Sequence, residues 1–598
     1  MQSIKNKSTL YLVKKLISHI GKKKIVAVIL LQLLSLLSSI LEALSVGVII
    51  PFITLIGSPE KVINYIKINK LFNSFNLSSA NLSNVNLIYY TTFLFITLVL
   101  LSAFLKWVLV YLNTKLCNSI GSLLAYNLYK RTLYQPYIAH TNRNSSEILS
   151  DVNRANDLVN TIIIPFFLML NAIFTIVLLS SVLIFLNPFV IISSFIGISI
   201  FYFFVMKLVK RKLFFESALM NARKPLLIKI LQEGLGGIRD ILIDGTQSYY
   251  SEIYYSNEKK FKESLTKVRL ISTTPNIAIQ TFGICLIAFF AGYTATTGNM
   301  TATLPFLAAL AFGYLRISPA LQQVYTSWTS LQSGKETMFY IIDFLNIPLP
   351  EYADKQQVKR INFKNKIVLE NVSFRYSNKL PYIFQDLNLT IKKGSRVGFV
   401  GTTGSGKSTL IDIIMTLFEP NHGVIKIDET VITNKNFRSW QSHIAHVPQT
   451  IYLSDNSILE NIAFGIPMNK IDYNRVLDAA KKAQILDTIN SWDNKFNTPI
   501  GERGIRLSGG QRQRIGIARA LYKQADVIIF DEATSALDMV TENEVMDSIN
   551  YLSKDLTILI IAHRITTLKN CDYIFELDKG RIILHENHES LINIKKSS

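Results

Sequence analysis

The sequence predicts a multi-domain membrane protein, in which an all-α domain of six transmembrane helices precedes an α/β P-loop ATPase domain. The first observation behind this fold class is composition. The chain of 598 residues is 49% hydrophobic and 18% charged, with a mean hydropathy of +0.27, which is too apolar for a soluble protein of this length. The second observation is the stretch Gly401–Thr409, which fits the phosphate-loop pattern G-x-x-x-x-G-K-[ST].

Six apolar stretches define the membrane domain, which we expect at residues 1–332 with long cytoplasmic helix extensions. A hydrocarbon core of about 30 Å needs roughly 20 apolar residues in a helix. A linker at 333–366 then leads to the ATPase domain at 367–598. The six stretches are Ile25–Ile56, Leu87–Tyr111, Leu158–Leu186, Pro188–Val209, Pro275–Tyr293 and Thr303–Trp328.

Basic residues predict the orientation of the spans. Lys22–Lys24 precede the first span, and further Lys and Arg clusters follow spans two and four. The loops at Leu186–Pro188 and Thr296–Asn299 contain no Lys or Arg. By the positive-inside rule, both termini and the ATPase domain are therefore expected in the cytoplasm of a multi-pass protein.

The phosphate loop stands in the context that its chemistry requires. It follows the strand-like run Val397–Val400 and opens into the helical pattern Leu410–Met415, so that backbone N–H groups can wrap a phosphate at a helix N-terminus. A lysine here reaches the β- and γ-phosphates, and a hydroxyl ligates Mg²⁺. The sequence thus predicts ATP and Mg²⁺ as cofactors. The expected nucleotide contacts are Gly401, Thr402, Gly404, Ser405, Gly406, Lys407, Ser408 and Thr409, with Ser408 also on the metal.

A second strand delivers the expected catalytic carboxylates. The apolar run Val527–Phe530 ends in Asp531 and Glu532, which suit metal coordination and water activation respectively. A solvated strand end is the commoner fate of such a pair. The ATPase interpretation is favoured because Ile558–Ala562 then presents His563, at the spacing of a γ-phosphate sensor.

The motifs from Gly401 to His563 resemble the nucleotide-binding domain of ABC transporters, over roughly Lys366–Arg581. The resemblance implies that Leu507–Gln511 covers the phosphates of a second copy. It also implies that Tyr376 stacks on adenine and that Gln449 is the Q-loop residue that reaches Mg²⁺ and attacking water. Ser508 and Gly510, with the adjoining Gln511, are the implied donors in trans, and Asp538 is the implied contact across the dimer.

Within ABC transporters, the chain resembles exporters. Thr498–Gly504 is similar to the exporter element TxVGERG, although Pro499 and Ile500 depart from it. The resemblance implies the type IV exporter fold and a homodimer, with a heterodimer of close relatives left open. It also implies short cytoplasmic helices near His140–Ser150 and Asp244–Tyr254 that contact the nucleotide domains.

The membrane half resembles flippases of lipid-linked oligosaccharides that serve bacterial protein N-glycosylation. The resemblance depends on Glu42–Leu55 in span one and Tyr314–Pro319 in span six. It implies ATP-driven export or flipping of a lipid-linked substrate across the bacterial inner membrane, with membrane lipids as partners. Multidrug, lipid A and peptide exporters share this architecture and stay open as alternatives.

The net charge of +21 raises a competing interpretation, a soluble ABC-type ATPase that acts on nucleic acid. Such ATPases lack six membrane spans. Because the Lys and Arg residues cluster beside the spans, attraction to anionic lipid explains the charge better. We therefore expect no nucleic-acid partner.

Charged residues inside the spans are candidates for substrate contact. Counting from the span ends at about 1.5 Å per residue, Arg316 lies roughly 20 Å deep, Glu42 near the outer side and Lys106 near the inner interface. Lys106 is expected to snorkel. A cation as deep as Arg316 needs a partner. That partner is either an anionic substrate headgroup or a structural acceptor such as Glu42, and both alternatives stay open.

The external segment 58–86 follows span one. Ile68, Leu71, Phe72 and Phe75 fall on one face of a helix. The pattern predicts either an amphipathic helix that touches lipid in the outer interface or a cap over the helix bundle.

Overall fold

The computed structural model describes residues 9–57, 84–184, 188–297, 300–353, 359–532, 540, 542–543, 555–562, 565–578 and 580–585. The chain forms two compact units. The first comprises Met1–Gln135 and Arg143–Leu349, and the second comprises Pro136–Asn142 and Pro350–Ser598. The expected domain boundaries at residues 332 and 367 stay predictions. Of the predicted external segment 58–86, residues 58–83 lie outside the described residues, and Asn84 already begins a long helix.

The first unit consists of helices. Its long apolar runs adopt helical structure because a helix satisfies every backbone N–H and C=O within one segment, as the interior of a membrane requires. A π-helical turn at Val159–Ile163 joins two of the helices. The helices in chain order are α1 (Thr9–Ser18), α2 (Lys22–Gly57), α3 (Asn84–Leu133), α4 (Tyr137–Thr141, in the second unit), α5 (Ser145–Leu158), α6 (Ile164–Ile184), α7 (Pro188–Gly236), α8 (Ile238–Ile243), α9 (Gln247–Thr297), α10 (Met300–Ser333) and α11 (Lys335–Leu345).

The predicted spans fall mainly within these helices. Over the described residues, four helical segments are long and apolar enough to cross a membrane: Lys22–Ile49, Ile88–Leu133, Ser145–Ile184 and Gln247–Phe289. Predicted spans four and six lie on α7 and α10 and stay predictions as spans. Helix α3 has 50 residues, which at about 1.5 Å each extend far beyond a hydrocarbon core of about 30 Å.

The short cytoplasmic helices differ in position from the prediction. Helix α4 lies at Tyr137–Thr141 and overlaps only the first two residues of the expected His140–Ser150. It belongs to the second unit, where Tyr137 packs on Phe418 with ring centroids 5.3 Å apart. The second helix was expected near Asp244–Tyr254, which is wrong: α8 ends before it, and α9 already begins at Gln247. Gly245, with φ +65°, makes the turn between them.

The second unit contains two sheets and short helices. A six-stranded sheet has the order β10-β9-β3-β8-β7-β6, in which all neighbours are parallel except β10 with β9. A four-stranded antiparallel sheet has the order β2-β1-β4-β5. The strands are β1 (Lys366–Phe374), β2 (Phe384–Lys392), β3 (Arg396–Gly401), β4 (His422–Ile427), β5 (Thr430–Val431), β6 (Ile444–Val447), β7 (Val527–Asp531), β8 (Thr557–Ile561), β9 (Tyr573–Asp578) and β10 (Arg581–His585).

The burial of the central strands fits their parallel arrangement. All five residues of β8 and the first four of β7 are buried, as expected for strands covered on both faces. Helices cover this sheet. They are α12 (Lys407–Ile414), α13 (Phe437–Gln441), α14 (Ile458–Ile462), α15 (Tyr473–Lys482), α16 (Leu486–Asn490) and α17 (Gly509–Tyr522).

Candidate functional site

The carboxyl ends of the parallel strands gather the predicted nucleotide residues at one edge of the sheet. Strand β3 ends at Gly401, where the phosphate loop begins, and β7 ends at Asp531, just before Glu532. Gln449 follows the end of β6. Because β6, β7, β8 and β3 are consecutive neighbours and parallel, these ends share one edge.

The phosphate loop uses glycine where a side chain has no room. Gly401 has φ +150°, and a Cβ there would lie 2.3 Å from the carbonyl oxygen of Leu577. Gly406 has φ +101°, and its Cβ would lie 2.8 Å from the ring of Phe384. Both positions combine a left-handed backbone with close neighbours. The loop can therefore present backbone N–H groups toward a bound anion.

Lys407 is held on the loop's own carbonyls. Its Nζ donates to Gly401 O at 2.9 Å and to Thr402 O at 3.1 Å, and the residue is buried. Burial lowers the pKa of Lys407, while the charges of Glu532 and Asp531 act in the opposite direction. At the N-terminus of α12, the ammonium of Lys407 thus bonds to two carbonyls and is stabilised by the charges of two carboxylates.

The loop fits a phosphate group on two further observations. The buried hydroxyl oxygen of Ser405 has no hydrogen-bond partner among the described residues, and a phosphate oxygen would satisfy it. Ser408, the second residue of α12, is exposed beside it. Thr409 is buried and bonds to Tyr376.

The predicted catalytic carboxylate is fixed by the Q-loop residue. Gln449 Nε2 donates to Glu532 Oε2 at 2.6 Å, and Glu532 N donates to Ile561 O at 3.1 Å. Glu532 itself has φ +49°, a conformation that is uncommon for a non-glycine residue and clusters at functional sites. The bond uses the amide nitrogen of Gln449 and leaves its oxygen free to accept another group.

Mg²⁺ would bind here through mixed oxygen ligands. Among the residues that the structure describes, no group of three His, Cys, Asp or Glu side chains could hold a metal. The hydroxyl of Ser408, the carboxylate of Asp531 and the amide oxygen of Gln449 are nevertheless hard oxygen donors, which suit an ion that keeps other positions for water and phosphate. The predicted residues His563 and Asp538 lie outside the described residues.

Tyr376 is held in place while its side chain stays partly exposed. Its hydroxyl shares a hydrogen bond of 3.0 Å with Thr409 Oγ1. Its ring meets Phe418 nearly perpendicularly, with centroids 5.4 Å apart, and the residue is 39% exposed. A fixed but accessible aromatic ring suits stacking of a flat base.

Ser508 and Gln511 form the N-terminus of a separate helix. Ser508 Oγ accepts from Gln511 N at 3.2 Å, while Gln511 Oε1 accepts from Ser508 N at 2.9 Å. This reciprocal capping box starts α17, with Gly510 as its second residue. The hydroxyl proton of Ser508 is not used by the cap, so it can be donated elsewhere.

In the membrane unit, Glu42 joins two cations. Lys106 Nζ lies 2.6 Å from Glu42 Oε1, and an Arg316 guanidinium nitrogen lies 3.4 Å from the same oxygen. Glu42 is 1% exposed, whereas the side chains of Lys106 and Arg316 are 45% and 30% exposed. Arg316 also lies over the ring of Phe312 at 5.3 Å. We call Glu42, Lys106 and Arg316 the ion cluster.

The ion cluster corrects the depths expected from the sequence. Glu42 and Lys106 were expected toward opposite faces of the membrane, but they are in contact. Helix α2 begins at Lys22 and α3 at Asn84, each only three residues before its predicted span, so counting along the single spans gave no measure of the axial offset between the two helices. Lys106, which the sequence predicted to snorkel, instead bonds to Glu42. The signal in the sequence that could have predicted this contact was one acidic residue in span one and a single cation in each of two other spans.

Comparison with known proteins follows the same two-part division. The family model described as "ABC transporter" matches residues 384–535, and that described as "ABC transporter transmembrane region" matches residues 25–316. An "ATP-dependent lipid A-core flippase" of Bordetella avium (strain 197N) is 34% identical over 383 residues, or 63% of each chain. "ABC transporter B family member 18" of Arabidopsis thaliana is 40% identical over 43% of this chain and 21% of its own.

A solved structure shares the fold over nearly the full length. The "Structure of a bacterial Atm1-family ABC exporter with ATP bound" aligns with a TM-score of 0.78 and 22% identity, covering 96% of this chain and 97% of that one. This likeness confirms the predicted fold class, a helical transmembrane domain followed by an α/β nucleotide-binding domain. The sequence match to the Bordetella avium flippase spans 63% of that protein's length.

Proposed function

Because this chain is an ABC transporter with a transmembrane domain fused to one nucleotide-binding domain, we propose that it couples ATP hydrolysis to the export of a lipid-linked substrate. The observation that carries the ATPase activity is the fixed bond between Gln449 and Glu532 at the sheet edge that also bears the phosphate loop. As a multi-pass protein with basic residues beside its spans, it would lie in the bacterial inner membrane with the ATPase domain in the cytoplasm.

Glu532 would act as the general base. Its carboxylate accepts the proton of an attacking water, and the bond from Gln449 holds it in one orientation while the reaction proceeds. Lys407 would exchange the carbonyls of Gly401 and Thr402 for phosphate oxygens. Ser408, Asp531 and Gln449 would hold Mg²⁺, which when bound neutralises charge on the phosphates. His563 would contact the γ-phosphate.

A second copy of the chain would complete each nucleotide site. Ser508 heads the 14-residue helix α17 and keeps a donor proton, and helix N-termini favour anions. The proposed homodimer places Ser508, Gly510 and Gln511 of one copy over the phosphates bound by the other, with Asp538 contacting across the interface. Tyr376 would stack on adenine.

The ATPase half is tested by phosphate release from the purified chain in nanodiscs. Lys407→Ala should reduce turnover by at least about 10²-fold, the scale of losing a preorganised charge contact. Lys393→Ala is the matched control, because Lys393 Nζ bonds the carbonyl of Phe363 in the same unit. Equal turnover in the two variants would contradict the assignment of the phosphate loop.

The ion cluster supports a phosphate-bearing lipid as the substrate. Two cations share one carboxylate, so the cluster carries a formal charge of +1 next to partly exposed guanidinium and ammonium groups. Phosphate or pyrophosphate offers Arg316 two matched acceptors, which a lysine cannot engage in the same bidentate way. Glu42 would then contribute by orienting both cations.

We favour a lipid-linked oligosaccharide as the substrate, and lipid A is the second candidate because several relatives are named lipid A-core flippases. Both carry phosphate on a glycolipid. Reconstituted transport of a polyprenyl-pyrophosphate oligosaccharide and of lipid A, each scored by headgroup accessibility on both sides, separates them. Movement of lipid A alone would overturn the oligosaccharide proposal, and movement of neither would overturn both.

A substitution that keeps the positive charge tests whether Arg316 contacts the substrate. Arg316→Lys should lower transport and lipid-stimulated ATPase at least about tenfold while sparing basal hydrolysis, since losing a bidentate charged contact costs more than about 1.4 kcal/mol. Lys115→Ala on the same helix as Lys106 is the control, because the Lys115 ammonium lies over the Tyr111 ring, 5.9 Å from its centroid, and not in the ion cluster. Transport that falls only in proportion to folded protein would instead give Arg316 a structural role.

A further inference from the structure

The chain passes between the two compact units at three points, after Gln135, after Asn142 and after Leu349. The middle stretch, Pro136–Asn142, belongs to the nucleotide-binding unit, and we call it the connector segment. Residues next to all three passages are joined by polar contacts inside the membrane unit. These contacts are far from the nucleotide residues and the ion cluster in sequence, and neither site uses them.

The strongest contact begins at the first residue after the connector segment. Arg143 donates from one guanidinium nitrogen to the carboxylate of Asp151 and to the hydroxyl of Tyr340, the latter at 2.7 Å. The hydroxyl of Tyr340 in turn donates to the same Asp151 oxygen. Asp151 lies on α5, whereas Tyr340 lies on α11, the helix that leads to the third passage.

Arg154 closes the cluster from the other side. It donates to the second oxygen of Asp151 at 3.2 Å, and its guanidinium lies 4.5 Å from the centre of the Tyr340 ring. Asp151 is only 7% exposed, so both of its oxygens have partners in a dry environment. Burial and the neighbouring Asp151 raise the pKa of Tyr340 to about 12, which keeps its hydroxyl proton available as a donor at neutral pH.

A second contact ties the first passage to the same helix end. Arg131 lies four residues before Gln135, and its Nε donates to Ile347 O at 3.1 Å. Helix α11 is anchored by its apolar face, because Met338 and Ile341 are 0% exposed. The residues entering and leaving the connector segment are therefore both bonded to the α11 region.

We propose that Asp151 is a positioning residue that locks the exit of the connector segment to α11, so that a nucleotide-driven displacement at one passage is carried to the other. A buried network with every member satisfied is stiff, because any partial separation leaves an unpaired charge. Three helices or loops joined through one carboxylate therefore move together or break the cluster. The inference depends on the proposed function, because it requires that ATP binding displaces the nucleotide-binding unit.

Hydrogen exchange on the full-length chain in nanodiscs tests the proposal. The background is Glu532→Gln, which should hold ATP and Mg²⁺ without turnover. The test change is Asp151→Asn, which keeps the shape and removes the charge. The matched control is Glu147→Gln, because Glu147 is an exposed acid on the same helix that lies 3.8 Å from the same Arg143.

ATP should slow exchange of the phosphate-loop amides in every variant, which reports binding independently. ATP should also change the exchange rate of the α11 amides at least about threefold in the Glu532→Gln background and in the Glu147→Gln control. With Asp151→Asn the change should be less than about 1.5-fold, because the free energy of local opening depends on the contacts that hold an element. Tyr340→Phe, which removes one hydroxyl, should give an intermediate response and serves if Asp151→Asn fails to fold.

Three outcomes of this experiment would count against the proposal. An α11 response to ATP that is equal in Asp151→Asn and Glu147→Gln would show that the carboxylate does not transmit the displacement. Absence of phosphate-loop protection in all variants would refute nucleotide binding itself and remove the basis for the inference. Protection of the loop without any α11 response in the background would refute the proposal while leaving the nucleotide site intact.

Discussion

Substitution of Glu42 tests the ion cluster most directly, because loss of this carboxylate should lower the stability of the protein but raise its affinity for a phosphate-bearing lipid. Glu42→Gln keeps the shape and removes the carboxylate that Lys106 and Arg316 share, whose nitrogens lie 2.6 and 3.4 Å from it. Removing one partner of a buried pair costs about 3–5 kcal/mol. Both cations are partly exposed and can be hydrated, so we expect about 2–3 kcal/mol of lost stability.

The same change should strengthen binding of a phosphate-bearing lipid. An anion on the far side of the cations would lie roughly 7 Å from Glu42, where two unit charges repel by about 2 kcal/mol at an effective dielectric constant of 20. Removing that repulsion, after screening by water, should lower the lipid concentration for half-maximal ATPase stimulation about five- to tenfold.

The assay combines a melting temperature with a titration of lipid-stimulated ATP hydrolysis in nanodiscs. Ser45→Ala is a suitable control, because Ser45 is buried on the same helix and its hydroxyl donates to the backbone carbonyl of Glu42. A variant that melts earlier and also needs more lipid would refute substrate binding by the cluster. It would leave Glu42 as a structural acceptor for two cations.

Four further predictions concern the nucleotide site. Glu532→Gln should keep ATP binding and cut hydrolysis at least about 10²-fold, the scale of losing a general base; near-normal turnover would place the base elsewhere. Mixed dimers of Lys407→Ala and Ser508→Arg subunits should bind nucleotide at one intact site, and two equally damaged sites would exclude the trans arrangement. Tyr376→Ala should raise KM for ATP about fivefold or more, since stacking contributes roughly 1–3 kcal/mol per base, whereas Tyr376→Phe should raise it far less; equal effects would exclude stacking. Burial and nearby Asp531 raise the pKa of Asp412 to about 6, so its protonated form contributes stability that is lost as pH rises through 6. Asp412→Asn should therefore raise Tm at pH 7.5 but not at pH 4. A change in Tm that is the same at both pH values would refute this.

The nucleotide site could be predicted from the sequence because its motifs dictate their own backbone geometry. Gly401 and Gly406 require conformations and clearances that only glycine allows. Asp531 ends β7, and Gln449 follows the end of the parallel neighbour β6 at the same edge of the sheet. The relative placement of the phosphate loop, Asp531 and Gln449 could therefore be predicted from the local sequence. Their roles in catalysis stay predictions, because backbone placement does not report chemistry.

The contacts between helices could not be predicted in the same way. The bond between Glu42 and Lys106 depends on the axial offset between α2 and α3, and the apolar run of each single helix does not report that offset. The cluster of Arg143, Asp151 and Tyr340 joins residues about 190 positions apart in sequence. A charge pattern indicates that such residues need partners but does not select them.

The cations in both sites already have partners within the chain, and this decides how their substitutions must be interpreted. Lys407 bonds the carbonyls of Gly401 and Thr402, and Arg316 shares Glu42 with Lys106. An arriving phosphate therefore replaces an existing partner, and its net gain is a difference between two interactions. Removing the resting partner should strengthen anion binding while weakening the fold, whereas removing the cation weakens both. Opposite effects of Glu42→Gln and Arg316→Ala on lipid affinity, with stability lowered in each, are thus the signature that separates a binding site from a purely structural ion pair.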